Sequence, residues 1–324
     1  DIAGYDLVWD DGDSDRVCRP IPGSLTPAPW LGERFGQVLM TMYDVDGTPA
    51  AADPRHVLSS VLARYAEAGL TPVVAAELEF YLVDLERDPE GRLQPPRSPR
   101  TGQRSWFKRG YEADDMEDFH DFLDEVHRTA HELGIPAQTV LAEYGPAQFE
   151  VTLRHQGDAL RAMDQAVLFK RLIKGVAFKH GFQATFMAKP YTQESGSGLH
   201  MHMSMLDRAG GNIFASEDPE GTPALRHAIG GLQARLADTM LVFGPNGNSY
   251  RRLRVGFYAP VNTAWGVNNR TVSLRVPSGP AHGRRVEHRV AGADANPYLA
   301  MAAVLAAAHA GLVHQRDPGA PASG

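Results

Sequence analysis

The chain has little cysteine: Cys18 is the only one in 324 residues. A single cysteine excludes an internal disulfide framework and a cysteine-ligated structural zinc site. A reducing, cytoplasmic setting is the natural expectation. Basic charge is not in excess either, with 32 lysines and arginines against 39 aspartates and glutamates, a formal net charge of −7. Without a broad basic footprint, nucleic acid is not expected as the principal partner. No basic stretch followed by an apolar run opens the chain, so no targeting segment is read at Asp1-Ile2-Ala3-Gly4. No Gly-x-x-x-x-Gly-Lys-Ser/Thr sequence occurs, which removes a Walker loop as the means of holding phosphates. The most membrane-like run, 298–313, contains His309 and Gly311 and is short for a span. Asn296 and Pro297 before it read as a cap and a first-turn proline, so a buried core helix is expected and no membrane partner.

What is present is ordinary for a globular chain: 43% apolar and 22% charged residues, which excludes wholesale disorder or a collagen-like fibre. Residues 1 to about 50 are rich in Pro, Gly and Asp, and Pro20, Pro22, Pro27 and Pro29 break any long element there. Only 37–43 reads as a strand, so this part is expected to be the remainder of a small domain plus a connector, and the chain a piece of something longer. From Pro54 a helix is predicted, with Val57, Leu58, Val61, Leu62 and Tyr65 on one stripe and Gly69 as its stop. A strand follows at 73–83, then a polar Pro/Arg loop to about Arg104 that is expected to be mobile. Further helices are predicted at 116–133, 159–179, 224–242 and 298–313, with strands between them and no repeat of fixed period. His120, His127 and His131, on one of these helices, read as surface residues.

Several predicted strands share a peculiarity. Side chains at i and i+2 face the same way in a strand. In Glu77-Leu78-Glu79-Phe80-Tyr81-Leu82 one face carries Glu77, Glu79 and Tyr81 and the other Leu78, Phe80 and Leu82. Gln148-Phe149-Glu150-Val151-Thr152-Leu153 repeats the pattern with Glu150 on its polar side. His200-Met201-His202-Met203-Ser204-Met205 sets two histidines and a serine against three methionines, which are read as core. Thr271, Ser273 and Arg275 oppose Val272, Leu274 and Val276, while Arg285, Glu287 and Arg289 oppose Val286 and Val290. Glutamate is depleted in strands, and carboxylates sharing a face repel unless something positive lies between them. A divalent cation would supply that charge, and several glutamates with histidine suit magnesium or manganese better than zinc. Arginines on neighbouring strands would meet a phosphate with their planar forks. Together these describe a nucleotide-dependent phosphoryl-transfer site.

These motifs resemble the catalytic domain of the glutamine synthetase family. They occur in family order from about Asp53 to Gly319: Glu77-Leu78-Glu79-Phe80, Ala142-Glu143-Tyr144-Gly145-Pro146-Ala147-Gln148-Phe149-Glu150, Lys189-Pro190, and Gly196-Ser197-Gly198-Leu199-His200-Met201-His202. Asn248-Ser249-Tyr250-Arg251-Arg252-Leu253, Asn269-Arg270-Thr271, Arg284-Arg285-Val286-Glu287-His288-Arg289 and Asn296-Pro297-Tyr298-Leu299 complete the series. The resemblance implies an α+β fold in which a curved, antiparallel-rich sheet forms an active-site funnel backed by helices. It implies a catalytic domain over 51–324, its C-terminal end missing, and a β-grasp-like N-terminal remnant over 1–50. By resemblance, Glu79, Glu143 and Glu150 match the ligands of one divalent ion, and Glu77, His200 and Glu287 those of a second. His202, Ser204, Arg275 and Arg285 match nucleotide and phosphate contacts, Gly196 and Arg252 glutamate contacts, and Arg270 and Arg289 arginines around the transferred phosphoryl group.

The implied cofactors are ATP and two or more Mg2+ or Mn2+, and the implied assembly is a homo-oligomer, a dodecameric double ring, in which a neighbour completes each site. The acidic loop expected to cross that interface is not recognisable and should precede Asp1. Where ammonia-using members carry a flap glutamate before Ala-Pro, Gly256-Phe257-Tyr258-Ala259-Pro260 has Tyr258, and Ser195 replaces their usual asparagine. A neutral ring gives ammonium no charge, but it offers an alkylammonium a cation–π surface. The chain is therefore expected to join glutamate to a small organic amine, putrescine or a polyamine ahead of monoamines such as ethanolamine. The γ-glutamylputrescine and γ-glutamylpolyamine synthetases are the branch it looks most like. The alternatives are a true glutamine synthetase using ammonia, a non-catalytic structural or regulatory relative, and a guanidino kinase.

Overall fold

The structure is a computed structural model that describes residues 15–106 and 110–323. The opening fourteen residues of the expected N-terminal remnant lie outside the described residues. Among the described residues four short strands come first, β1 (Val17–Pro20), β2 (Thr26–Pro27), β3 (Gly36–Gln37) and β4 (Met40–Tyr43). They make two two-stranded ladders, β1 with β4 and β2 with β3. Only part of this was predicted, because two- to four-residue strands carry too few alternations to register as a period.

The main sheet contains β5 (Thr71–Asp84), β6 (Ala137–Ala142), β7 (Gln148–Leu153), β8 (Phe182–Thr185), β9 (Leu199–Leu206), β10 (Trp265–Val267), β11 (Leu274–Val276) and β12 (Val286–His288). Its order is β10-β11-β12-β9-β5-β7-β6, with β8 also pairing β5. The β10–β11 pair is parallel and the remaining pairs are antiparallel. The expected α+β, antiparallel-rich sheet backed by helices is what the chain forms.

β5 is the keel, flanked by β9 over eight residue pairs from Thr71↔Leu206 to Leu78↔Leu199 and by β7 from Glu77↔Thr152 to Tyr81↔Gln148. Its two faces separate as the alternation predicts: Leu78, Phe80 and Leu82 enter the main core, and Tyr81 and Val83 pack with Tyr191 on the other side. Met201, Met203 and Met205 of β9 are fully buried in that main core.

Long helices cover the apolar face. Pro54–Ala68 is capped by Asp53, whose carboxylate accepts from the Arg55 and His56 N–H groups, and stops at Gly69 with φ 70°. Ala159–Lys179 ends where predicted. Pro297–His314 is capped by Asn296 and passes the length and composition test for a membrane span, yet Met301, Leu305 and Ala308 are fully buried. It therefore serves as the expected core helix. It crosses Pro223–Arg235 at Gly231 and Gly311, where a Cβ on Gly231 would lie 2.6 Å from the Gly311 Cα. Only hydrogen side chains let the two backbones approach this closely.

Three predicted elements are corrected. The 116–133 helix is two, Ala113–Asp118 and His120–Glu132, broken at Phe119 with φ −114° and ψ 20°. Phe119 turns into the core edge-on against Phe149 and Phe182, so tertiary packing overrides the local pattern. The 224–242 helix ends at Arg235, where the Thr239 hydroxyl donates to the Arg235 carbonyl at 2.8 Å; such back-bonding bends helices. Thr271 belongs to a turn, because the Asn269 side chain accepts from both its N–H and its hydroxyl at 2.9 and 2.7 Å. The Pro/Arg loop after β5 is tied back, with Arg104 pairing to Asp84 and donating to the Pro95 carbonyl at 2.6 Å. His120, His127 and His131 are exposed, as read.

Candidate active site

Strand register assembles the polar residues. Glu77 stands opposite His200, His202 opposite Glu287, Glu287 opposite Arg275, and Glu79 opposite Glu150. A belt of charge thus crosses β11, β12, β9, β5 and β7 on the face away from the methionines. Glu77 is its centre: one carboxylate oxygen lies 3.1 Å from His200 Nδ1 and the other 2.9 Å from His202 Nε2. His200 also lies 3.5 Å from Glu79 and 3.6 Å from Glu287.

Among the described residues, two groups bring ligand atoms within 4.8 Å of one another: Glu77, His202 and Glu287, and Glu77, Glu150 and His200. Glu77 belongs to both. His202, assigned by resemblance to the nucleotide, sits among potential ligands, while Glu79 and Glu143 line the adjoining cleft with Glu150.

The electrostatics are those of a cation site. Burial, reinforced by the charge of Glu77, pushes the Glu150 carboxyl up to about 10. Burial and Glu79 push Glu143 up to about 8. Burial opposes the Glu77 charge as well, but His202 and His200 beside it hold its carboxyl far below the usual range. Glu287 is held low against burial by Arg289, with which it forms an ion pair. His202 Nε2, although close to Glu77, is buried and makes no hydrogen bond there. Crowded carboxylates with raised pKa values and an unsatisfied imidazole nitrogen fit hard divalent cations such as magnesium or manganese.

Arginines frame the belt. Arg275 donates to Glu287 at 2.8 Å and to Asn268 at 3.0 Å, and Arg285 Nε reaches His202 Nδ1 at 3.3 Å. Ser204 lies further along β9, opposite Val73. Arg252 is buried and commits both terminal nitrogens to backbone, the Val290 carbonyl at 2.9 Å and the Arg289 carbonyl at 3.1 Å. Its side chain packs against Gly196, where a Cβ would come within 2.6 Å of Arg252 Cγ.

Arg270, Arg289, Ser195, Gly196 and Tyr258 line the same cleft. Its walls are pinned by Gln148, which accepts from the Gly145 N–H at 3.0 Å and donates to the Gly196 carbonyl at 3.0 Å. Tyr81 donates to the Ser195 carbonyl at 2.8 Å, and the Gly198 N–H donates to Glu79 at 2.7 Å.

The structure adds residues that sequence reasoning gave no role. Tyr111, Tyr144 and Phe257 line the cleft. Phe257 lies under Lys189 Nζ at 4.0 Å and beside Arg254 at 5.2 Å, which anchors the flap. His155 packs edge-on to His202, ring centres 5.7 Å apart, with its Nε2 buried and unpartnered. Tyr144 sits inside a recognised motif and could have been found. Tyr111 follows from no local signal.

The family model for the glutamine synthetase catalytic domain matches residues 51–324. The chain is 46% identical to gamma-glutamylputrescine synthetase of Escherichia coli over 306 residues, covering 94% of this chain and 64% of that protein. It is 34% identical to glutamate–isopropylamine ligase of a Pseudomonas species, covering 98% of this chain and 68% of that one. Against glutamine synthetase of Pyrococcus abyssi the identity is 35%, over 94% of this chain and 66% of the relative. Among solved structures, apo GmaS superposes with a TM-score of 0.83 at 32% identity, covering 96% of this chain and 69% of that one, and a GmaS–ADP complex with 0.84. The chain thus spans just under two thirds of the length of the Escherichia coli relative.

Proposed function

Because the chain belongs to the glutamine synthetase family, we propose that it is the catalytic part of an ATP-dependent ligase joining the γ-carboxylate of glutamate to an organic amine, putrescine or a polyamine foremost. The observation that carries this reading is the joint occupancy of one cleft: Glu79, Glu143, Glu150 and His200 on its floor, and Tyr258, rather than a carboxylate, on the flap above. The names of the Escherichia coli and Pseudomonas relatives support an amine as the nucleophile.

Glu77, Glu150, His200, His202 and Glu287, with Glu79 and Glu143, would hold two divalent ions, magnesium or manganese. When bound, these neutralise repulsion between the anionic reactants and charge on the transferred phosphoryl group. A glutamate γ-carboxylate oxygen attacks the γ-phosphorus of ATP, the bond to the ADP oxygen breaks, and γ-glutamyl phosphate forms. Arg270 and Arg289 face the cleft and stabilise charge on the phosphoryl oxygens. Arg275 and Arg285 flank the nucleotide side, with Ser204 beyond them. The amine, arriving as an ammonium ion, loses one proton and attacks the acyl carbon. The C–N bond forms, the C–O bond to phosphate breaks, and a second proton leaves to give the neutral amide. One of the two protons goes to the departing phosphate and one to solvent. The flap anchored by Phe257 excludes water, which would otherwise hydrolyse the acyl phosphate.

Residues 1–50 are taken as part of a separate N-terminal unit, and the working protein as a cytoplasmic homo-oligomeric double ring whose neighbours complete each site. A phosphate-release assay with ATP, glutamate and a panel of amines tests the function. Turnover with putrescine or longer polyamines is expected, and turnover with ammonium alone would overturn it.

A further inference from the structure

A second hollow lies outside the catalytic cleft and shares no lining residue with it. The helix Ala159–Lys179 brings Lys170, Arg171 and Lys174 to it, and Trp30, Leu31 and Phe178 make its apolar wall. Trp30 is laid against that helix by the turn Pro29–Leu31, so closely that a Cβ on Gly175 would lie 2.3 Å from its ring. Leu31 is 51% exposed and Phe178 71% exposed, which leaves the wall open to solvent. Lys170 and Lys174 hold their ammonium groups near one ring, that of Phe186, at 4.9 and 5.7 Å from its centre. Like charges gathered in this way repel unless something negative joins them. Among the described residues Arg171 and Lys174 have no carboxylate partner. The acidic residue of the lining, Asp294, commits one oxygen to Asn246 at 2.8 Å and to Ser249 at 2.7 Å. Positive charge is thus in surplus here, in a chain whose formal net charge is −7.

We propose that this hollow is a second anion site, which takes a phosphate monoester with its apolar body on Trp30 and Phe178, and that its occupancy is felt by the loop bearing Gly196. The site goes beyond the ligase reading, and only its link to glutamate rests on that reading. Two lysines supply point charges and Arg171 a planar fork, donors that the three outer oxygens of a phosphate can accept together. A carboxylate has two oxygens and would leave one of the three cations unmatched. The helix Pro297–His314 opens on the same hollow, and the positive end of its dipole adds to the attraction. Lys170 carries the link. Its Nζ donates to the Ala293 carbonyl at 2.6 Å, the Ala293 N–H donates to the Ser197 carbonyl at 2.9 Å, and Ser197 adjoins Gly196 of the catalytic cleft. An anion in the hollow competes with the Ala293 carbonyl for the same ammonium group, and so loosens the support of that loop.

The test uses the full-length protein with its catalytic cleft filled by magnesium, a non-hydrolysable ATP analogue and glutamate, and measures phenyl phosphate and inorganic phosphate binding by equilibrium dialysis. Phenyl phosphate is expected to bind, and inorganic phosphate about threefold or more weakly, because it has no ring to bury. Arg171→Gln and Lys174→Gln are each expected to weaken phenyl phosphate about tenfold. Lys179→Gln, on the same helix but paired with Glu125 at 2.6 Å, should change it by less than about twofold. No binding, or the same loss in all three variants, would overturn the site, and equal affinity for the two anions would overturn the apolar wall. In an assay of ADP release, phenyl phosphate is expected to raise the glutamate KM about fivefold in the unaltered enzyme and to leave it unchanged in Lys174→Gln. A glutamate KM that phenyl phosphate does not move in the unaltered enzyme would overturn the link to the loop. Absence of turnover with every amine would count against the ligase reading instead, since the dialysis needs no turnover.

Discussion

Glu77 and His202 stand on neighbouring strands with a carboxylate oxygen 2.9 Å from the imidazole Nε2, yet that nitrogen makes no hydrogen bond. The pair is an ion contact of poor hydrogen-bond geometry, so both groups remain available to a shared cation. Since Glu77 also belongs to the group with Glu150 and His200, Glu77→Gln should weaken both cation sites at once. A loss of at least about tenfold in Mn2+ affinity is expected by calorimetry, with unchanged affinity counting against the assignment.

Glu143 and Glu150 are pushed up to about 8 and 10 by burial and neighbouring charge. At neutral pH and without metal both therefore hold protons, which a cation must displace. Metal binding should release protons, and its apparent affinity should climb as pH rises from about 6 toward 8. Titrations in buffers of different ionisation enthalpy measure this; a pH-independent affinity would contradict it.

Arg252 joins two carbonyls of the β12 extension with one planar fork. Lysine has no fork, so Arg252→Lys leaves one buried carbonyl unpaired. A loss of about 1–3 kcal/mol is expected in denaturant unfolding of the metal-free protein.

Gly231→Ala places a methyl group 2.6 Å from the Gly311 Cα. The helices must separate, lowering stability by about 1–3 kcal/mol. A thermal melt equal to that of the parent would show that the crossing is looser than described.

Lys170 is pushed down to about 8 from 10.5, first by burial and then by the charge of Lys174. Its folded value lies below its unfolded one, so the unfolded chain binds more protons between the two. Stability is then lowest below about pH 8 and rises toward pH 10.5. Lys170→Met should abolish that rise. Near neutral pH it should gain up to roughly 3 kcal/mol, less the contribution of the hydrogen bond to the Ala293 carbonyl at 2.6 Å. Melting temperatures of both proteins across this range decide it.

The parts of this molecule legible in the sequence are those where one local period governs. Glu77, Glu79, Glu150, His200 and His202 announced themselves because period-2 alternation survives in long strands, and β5 and β9 are long. The cap at Asn296 was readable because it acts within three residues. Phe119 was not, since its neighbours Phe149 and Phe182 are distant in sequence and only their packing breaks the helix. The grouping of ligands, Glu79, Glu143 and Glu150 around one ion and Glu77, His200 and Glu287 around a second, came from the resemblance and not from any local pattern. Which glutamate shares an ion with which histidine depends on register, and register placed Glu77 between both histidines. Tyr111 was hidden for a related reason: a tyrosine in left-handed backbone has no compositional mark, and its partner Tyr144 comes from another loop.

β9 alternates polar side chains, His200, His202 and Ser204, with methionines in the core, Met201, Met203 and Met205. A single inserted or deleted residue within it would rotate every side chain by half a turn, sending imidazoles into hydrocarbon and thioethers into the charged belt. The protein cannot lose its reactive centre by such a slip and keep its shape, so frame errors here should be eliminated as misfolded chains before they could ever persist as inactive enzymes.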